Sequence, residues 1–359
     1  MTADPTDAAT TDRGTPAILD VRDLSVEFRQ GRRTPPLRAV DGVSLAIGHG
    51  ETLGLVGESG SGKSTIGRAV LGLNPVRSGT IRFEGADITR AGARTRRELS
   101  ARLQVVFQDP YSSLNPARTI GSTLAEPLLV HQRLTARQAG EKVADMLGRV
   151  GLPRETAHRY PAQFSGGQRQ RIAIARALMP GPRLVICDEP VSALDLSVQA
   201  QVMNLLAELQ EAMRLSYLFV AHDLPVVRHL SHRIVVLYRG QVMETGPSEE
   251  LYEHPVHPYT RMLIAAVPEP DPARQRARRA AAARADTVVT ARVAGGNPTA
   301  GCVFAPRCAH ALDLCRRERP RLLPVAERVP AGPAGSPSPA GPDARSAACH
   351  RAAELVARP

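Results

Sequence analysis

GESGSGKST, residues 57–65, is the stretch whose reading decides the fold. From Gly57 to Ser64 it fits the phosphate-loop pattern G-x-x-x-x-G-K-[ST] in full. The flanks fit as well: ETLGLV (51–56) reads as a short buried strand, and the run from Ile66 to Leu73 reads as the start of a helix. A strand, a tight loop and a helix in that order are the context the motif needs. Gly57, Gly60 and Gly62 let the backbone curl, so that N–H groups along Glu58, Ser59, Ser61 and Thr65 can point inward at an anion. The new helix adds its positive end. Lys63 supplies a point charge for the β- and γ-phosphates, and the Ser64 hydroxyl is placed to ligate Mg²⁺.

Working outward, ILDV (18–21), LSVEF (24–28) and VSLAI (43–47) make a strand-rich opening, and GTIRFEGADITR (79–90) reads as a hairpin. From Thr95 to Met179 the pattern is helical, broken at Pro110, Pro116, Pro127 and Pro153. Strand-like runs return at LVIC (184–187), YLFVA (217–221) and IVVL (234–237), with a helix expected over Val198–Met213. Strands alternating with helices imply an α/β fold on a parallel core. The block at about 95–180 then reads as a helical subdomain inserted in it. Residues 1–16 read as a disordered leader, 17–265 as one ATPase-type domain, and 266–359 as an extension of different character, with prolines at 268, 270 and 272 and a Pro/Gly/Ser/Ala stretch at 330–342.

The chain has 359 residues, enough for a large core, and its hydrophobic content of 43% is that of a globular protein. No run approaches the roughly 18 apolar residues of a membrane span, and the polar N-terminus lacks the layout of a secretory signal. The formal net charge is +11. Six arginines lie between 274 and 292 (Arg274, Arg276, Arg278, Arg279, Arg284, Arg292) against one acid, Asp286. That segment reads as a solvated basic linker, with acidic lipid headgroups as the alternative partner. Aromatic residues are only 3% and tryptophan is absent, which argues against a base-stacking surface and against nucleic acid as a partner.

Further elements narrow the chemistry. LVICDE (184–189) is an apolar strand ending in two acids. Asp188, at its tip, can join Ser64 around Mg²⁺. Glu189 is placed to polarise a water for in-line attack. Gln108, after Val106 and Phe107, can reach the metal or that water. His222, at the end of another strand, can hydrogen-bond a γ-phosphate. FSGGQRQR (164–171) runs straight into a helix: Ser165 suits the N-cap, and Gly166, Gly167 and Gln168 open a second anion-binding surface. One phosphate tail has no need of two such surfaces in one chain. The second therefore reads as serving a nucleotide held by another copy.

This set resembles the ATP-binding cassette (ABC) family, nucleotide-binding subunit, over about residues 17–265. GESGSGKST is similar to its Walker A motif and LVICDE to Walker B. Gln108 matches its Q-loop, FSGGQ its LSGGQ signature with Phe164 for leucine, SALD (192–195) its D-loop, and His222 its switch histidine. Phe28 falls where the family places an adenine-stacking aromatic, and Asp195 at its D-loop aspartate. The resemblance implies two subunits paired head to tail around two ATP molecules. It makes Glu189 the general base, His222 the γ-phosphate sensor, Lys63 and Gln108 catalytic, and Ser64, Asp188 and Gln108 the Mg²⁺ shell. Soluble relatives acting on DNA or ribosomes are the rival class. The short, proline-rich interval 66–164 and the single cassette separate this chain from them.

QDPYSSLNP (108–116), HPYT (257–260), AAVPEPDP (265–272) and GCVFAPRCAHALDLC (301–315) resemble ATPases of oligopeptide/dipeptide importers. That resemblance implies a peripheral protein on the cytoplasmic membrane face. Its expected partners are a second ATPase subunit, identical or different, two transmembrane permeases and, indirectly, an extracytoplasmic solute-binding protein. Nickel, glutathione or another small solute is the alternative cargo. Cys302, Cys308, Cys315 and Cys349 are spaced C-x5-C-x6-C-x33-C, which is neither a ferredoxin nor a zinc-finger pattern. A cytosolic setting disfavours disulfides. An iron–sulfur cluster, zinc and free thiols stay open on spacing alone, and the subfamily resemblance adds a [4Fe–4S] cluster as an expectation. Cys187, inside the strand, reads as a small core residue.

Overall fold

The computed structural model describes residues 17–29, 31, 35–109, 113–132, 134–267, 276, 300–325 and 344–356. The leader, most of the arginine-rich segment and the 330–342 stretch lie outside them.

Strands β1 (Leu19–Phe28), β2 (Leu37–Ile47), β4 (Ser78–Phe83) and β5 (Ala86–Asp87) form an antiparallel sheet in the order β2-β1-β4-β5. The larger sheet has the order β11-β12-β10-β9-β3-β8-β7-β6. Its parallel part comprises β3 (Thr52–Val56), β6 (Leu103–Val106), β7 (Leu184–Asp188), β8 (Ser216–Ala221) and β9 (Arg233–Tyr238). The hairpin partner β10 (Gln241–Pro247) and the short β11 (Leu323–Pro324) and β12 (Ser346–Ala347) continue it antiparallel.

The parallel strands are buried on both faces, so their apolar runs are continuous rather than alternating. The period of two still sorts their side chains. Leu184, Ile186, Leu218 and Val220 share one core with the antiparallel sheet and α1 (Lys63–Val70). Val185, Cys187, Tyr217 and Phe219 face the other core, built from helices. Those helices include α3 (Ile120–Gln132), α4 (Ala136–Arg149), α5 (Gly166–Leu178) and α6 (Leu196–Met213); α2 (Ala93–Leu99) precedes β6. Cys187 is fully buried and its thiol is pushed up by desolvation, as befits a core residue.

The helical stretch differs from its sequence reading at one point. Leu103–Val106 lies within 95–180 yet forms the edge strand of the main sheet, paired to β7 only. A four-residue edge strand satisfies just one neighbour and carries only half of a strand's usual apolar signal.

Beyond β10 the chain folds back along the sheet. Glu244, fully buried, accepts hydrogen bonds from the backbone N–H groups of Val256 and His257, both at 2.9 Å. Helix α7 (Leu224–Leu230) joins β8 to β9, and helices α8 (Ser248–Glu253) and α9 (Pro258–Ala265) follow β10. His257 caps α9: its Nδ1 accepts the Tyr259 N–H at 3.0 Å, which fixes the proton on Nε2. Rings of Tyr238, Tyr259 and Phe304 meet at centroid distances of 4.7 to 5.4 Å and tie residues 301–320 to the core. The small helices α10 (Asp313–Arg317) and α11 (Ala352–Val356) belong to that returning segment.

Burial lowers the His257 pKa from 6.5 to about 4. The unfolded chain therefore takes up this proton first as pH falls. The stability His257 confers is present above pH 6.5 and is lost between 6.5 and about 4, amounting to about 3 kcal/mol at 1.36 kcal/mol per pKa unit. Protonation would also occupy the nitrogen that caps α9. We expect His257→Asn, which keeps a capping acceptor without a titrating ring, to flatten the fall in urea midpoint across that window. An unchanged pH slope would refute the assignment.

Candidate active site

The phosphate loop leaves the carboxyl end of β3 and enters α1, at the edge where open α/β sheets bind ligands. Two of its glycines are required by geometry. Gly62, the N-cap of α1, has φ +103°, and a Cβ there would lie 2.4 Å from the Ala39 carbonyl oxygen. Gly60, at φ +78°, faces open space. Lys63 is buried, and its Nζ donates to the carbonyl oxygens of Gly57 at 2.7 Å and Glu58 at 3.0 Å. Desolvation lowers its pKa, and the carboxylates of Glu189, Asp188 and Glu58 oppose that shift. Ser61 holds a buried hydroxyl with no hydrogen-bond partner among the described residues. A cation, an unsatisfied hydroxyl and a left-handed glycine opening outward fit a phosphate tail.

The Ser64 hydroxyl donates to Asp188 Oδ1 at 2.6 Å. A hydroxyl and a carboxylate converging beside Lys63 make the hard-oxygen donor set that Mg²⁺ prefers. Glu189 follows at the strand tip with φ +49°, a left-handed conformation that costs a non-glycine residue about 1 kcal/mol or more and turns its side chain off the strand line. Gln108 Nε2 donates to Glu189 Oε2 at 3.2 Å, and His222 Nδ1 lies 3.6 Å from the same oxygen. Gln108 follows β6, Glu189 follows β7 and His222 follows β8, so neighbouring parallel strands deliver all three to one edge. His222 is exposed, with a side-chain accessibility of 58%, whereas Glu189 is at 17%.

The remaining expected residues are distributed differently. Ser165 caps α5 and forms a reciprocal box with Gln168. Both are exposed, and among the described residues no hydrogen bond joins 165–168 to 57–65. A Cβ on Gly167 would lie 2.4 Å from Val198 of α6, so this surface sits against the D-loop helix. Asp195 caps α6 by accepting from the Val198 N–H and the Ser197 hydroxyl, which lowers its pKa. Phe28 is half-buried at the end of β1, packed on the core. Thr65 lies in the first turn of α1, half-buried.

Cys302, Cys308, Cys315 and Cys349 line one small cavity with about 20 Å³ of free space, room for roughly one water. Burial raises the thiols of Cys302, Cys349 and Cys308, the last to about 11. Among the described residues no group of three or more His, Cys, Asp or Glu is arranged to hold a metal ion. The four cysteines line one cavity but are not arranged as a metal site among the described residues, and the iron–sulfur expectation is not supported.

Two contacts to the phosphate loop had no sequence signal as site residues. The Tyr259 hydroxyl accepts the Glu58 N–H at 2.9 Å. Arg307 forms a two-pronged ion pair with the Glu58 carboxylate, at 2.8 and 3.0 Å.

Comparison with known proteins bears on this geometry. Residues 40–192 match the family model "ABC transporter", and residues 243–315 match "Oligopeptide/dipeptide transporter, C-terminal region". The oligopeptide transport ATP-binding protein AppF of Bacillus subtilis (strain 168) is 46% identical over 316 residues, 86% of this chain and 94% of its own. The oligopeptide transport ATP-binding protein OppF of Salmonella typhimurium is 47% identical over 313 residues, 85% of this chain and 92% of its own. The ATP-binding cassette MJ0796, solved as a dimer in a post-hydrolysis state with ADP and Pi, superposes with a TM-score of 0.59 at 27% identity, over 64% of this chain and 98% of that one. With a phosphate loop, two strand-tip acids and a signature helix in one sheet-edge arrangement, the chain belongs to the ABC transporter ATP-binding family, its cassette followed by the oligopeptide/dipeptide transporter C-terminal region.

Proposed function

We propose that this chain is the ATP-hydrolysing subunit of a membrane ABC importer, coupling ATP binding and hydrolysis to uptake of oligopeptides or dipeptides. The observation that carries the reading is the convergence on Glu189 of Gln108 and His222, beside the Ser64–Asp188 pair. The names of AppF and OppF, both oligopeptide transport ATP-binding proteins, support the cargo class. Neither of these two names points to nickel, glutathione or a soluble role.

The residues divide the work. The loop from Gly57 to Thr65 binds the phosphates, with Lys63 neutralising charge on the β- and γ-groups. Mg²⁺, held by Ser64 and Asp188 with Gln108, would supply further charge neutralisation at those oxygens. The Glu189 carboxylate accepts a proton from the attacking water. Gln108 and His222 hold that carboxylate, and His222 contacts the γ-phosphate. Phe28 stacks on the base. Ser165, Gly166, Gly167, Gln168 and Asp195 serve the nucleotide of a facing subunit.

In domain terms we read 17–265 as the ATPase domain and 266–359 as the importer-type extension, with the helical insertion starting after β6. Among the described residues no helix is long and apolar enough to cross a membrane. The likeness to AppF and OppF supports a peripheral subunit on the cytoplasmic membrane face, docked to two permeases, paired with a second ATPase and served indirectly by a solute-binding protein. An iron–sulfur cluster is no part of this reading. Affinity purification from detergent-solubilised membranes tests it: two polytopic permeases should co-purify, and recovery of the chain with ribosomes or DNA in their place would overturn it.

A further inference from the structure

The phosphate loop is gripped by residues far from it in sequence, one of them in the C-terminal extension. Glu58, its second residue, is engaged at three points. Its carboxylate receives two N–H groups of Arg307, at 2.8 and 3.0 Å. Its N–H donates to the Tyr259 hydroxyl at 2.9 Å. Its carbonyl oxygen accepts the Lys63 ammonium at 3.0 Å. Arg307 and Glu58 are 249 residues apart, and Tyr259 and Glu58 are 201 apart.

The grip is built rather than incidental. Arg307 sits in a short 3-10 turn, Ala305–Arg307, between buried Phe304 and the cavity-lining Cys308. Its guanidinium lies 5.6 Å from the Tyr238 ring centroid and 5.9 Å from that of Phe304, and also reaches the Tyr238 hydroxyl at 3.4 Å. Cation–π contacts plus a two-pronged carboxylate contact constrain the side chain, an arrangement in which arginine is not exchanged for lysine without loss. Tyr259 is fully buried and meets the Tyr238 ring at 4.7 Å.

We propose that Arg307, together with Tyr259, is a positioning residue for the phosphate loop: through Glu58 it holds the carbonyl that seats Lys63, so the C-terminal extension sets the affinity for ATP. The inference rests on ATP being the ligand, as argued above. Arg307 is not catalytic. Among the described residues its hydrogen bonds go to Glu58, Tyr238 and Met262, not to the strand-tip acids or His222.

The test is equilibrium titration of the full-length chain with a fluorescent ATP analogue, followed by steady-state ATPase kinetics. For R307Q we expect Kd and KM to rise together by about 5-fold while kcat stays within about 2-fold, the signature of lost binding without lost transition-state contact. R307K should recover part of the affinity, and Y259F should weaken binding about 2- to 3-fold. In a cycle with E58A, adding R307Q to E58A should cause no further loss, because both acceptor oxygens are already gone. Thermal unfolding of each variant accompanies the titrations. If R307Q unfolds early, R307K and Y259F carry the test by the same split. Wild-type affinity in these variants, or additive effects in the cycle, would overturn the proposal. A wild-type chain that binds no ATP would overturn the functional reading itself, a separable result.

Discussion

Glu189→Gln should leave ATP binding intact and reduce turnover by about 100- to 10,000-fold, the range a general base contributes. The substitution changes little else. Glutamine has the same length, tolerates the φ of +49° about as well, and keeps an oxygen that can accept from Gln108. Removed are the capacity to take a proton from water at neutral pH and one negative charge, which leaves Asp188 and Glu58 as the acids facing Lys63. The phosphate loop, where binding resides, is untouched, because Lys63 is seated by the Gly57 and Glu58 carbonyls. The variant should therefore accumulate bound, uncleaved ATP, measurable by filter binding of labelled nucleotide alongside phosphate release. If phosphate release from E189Q equals that of the unmodified chain, the proton acceptor lies elsewhere and His222, 3.6 Å away, becomes the residue to examine.

The fold was readable where local chemistry dictates it. ETLGLV followed by GESGSGKST specifies strand, anion-binding turn and helix start over residues 51–65, and the structure has β3, the loop and α1 in that order. LVIC, YLFVA and IVVL became β7, β8 and β9 because an apolar run of that length must be buried on both faces. The helix expected from Val198 starts two residues earlier, at Leu196, because Asp195 supplies the cap. The residues ahead of Gln108 are strand-like, but Leu103–Val106 lies inside the block whose pattern is helical, because its pairing with β7 is long-range and leaves no local signal. The contacts of Tyr259 and Arg307 to Glu58 span two hundred residues or more, and no local spacing encodes such a pair. The HPYT and GCVFAPRC segments stood out in the sequence, but only as family resemblance. For the cysteines, convergence was legible and the free volume between them was not.

Ser165→Arg carries the other large expected effect. Ser165 heads a 13-residue helix, where the side chain closes a capping box with Gln168 and remains exposed. A helix start of this kind presents free N–H groups and positive potential to solvent, and among the described residues nothing of the chain's own phosphate loop reaches it. If a facing subunit's ATP docks there, an arginine at the cap blocks closure and removes oriented donors from the transferred phosphoryl group. Loss of a single such donor costs about 100-fold or more in kcat. Loss of the cap itself costs only about 1 kcal/mol of stability, so the fold should survive. S165R should thus bind ATP with ordinary affinity as a separated protomer and still hydrolyse it at least about 100-fold more slowly when assembled. The unmodified chain should show specific activity that rises with protein concentration, whereas S165R should stay flat. A wild-type rate in S165R, or a concentration-independent rate in the unmodified chain, would place the whole of catalysis within one protomer and leave the second anion-binding surface without a role.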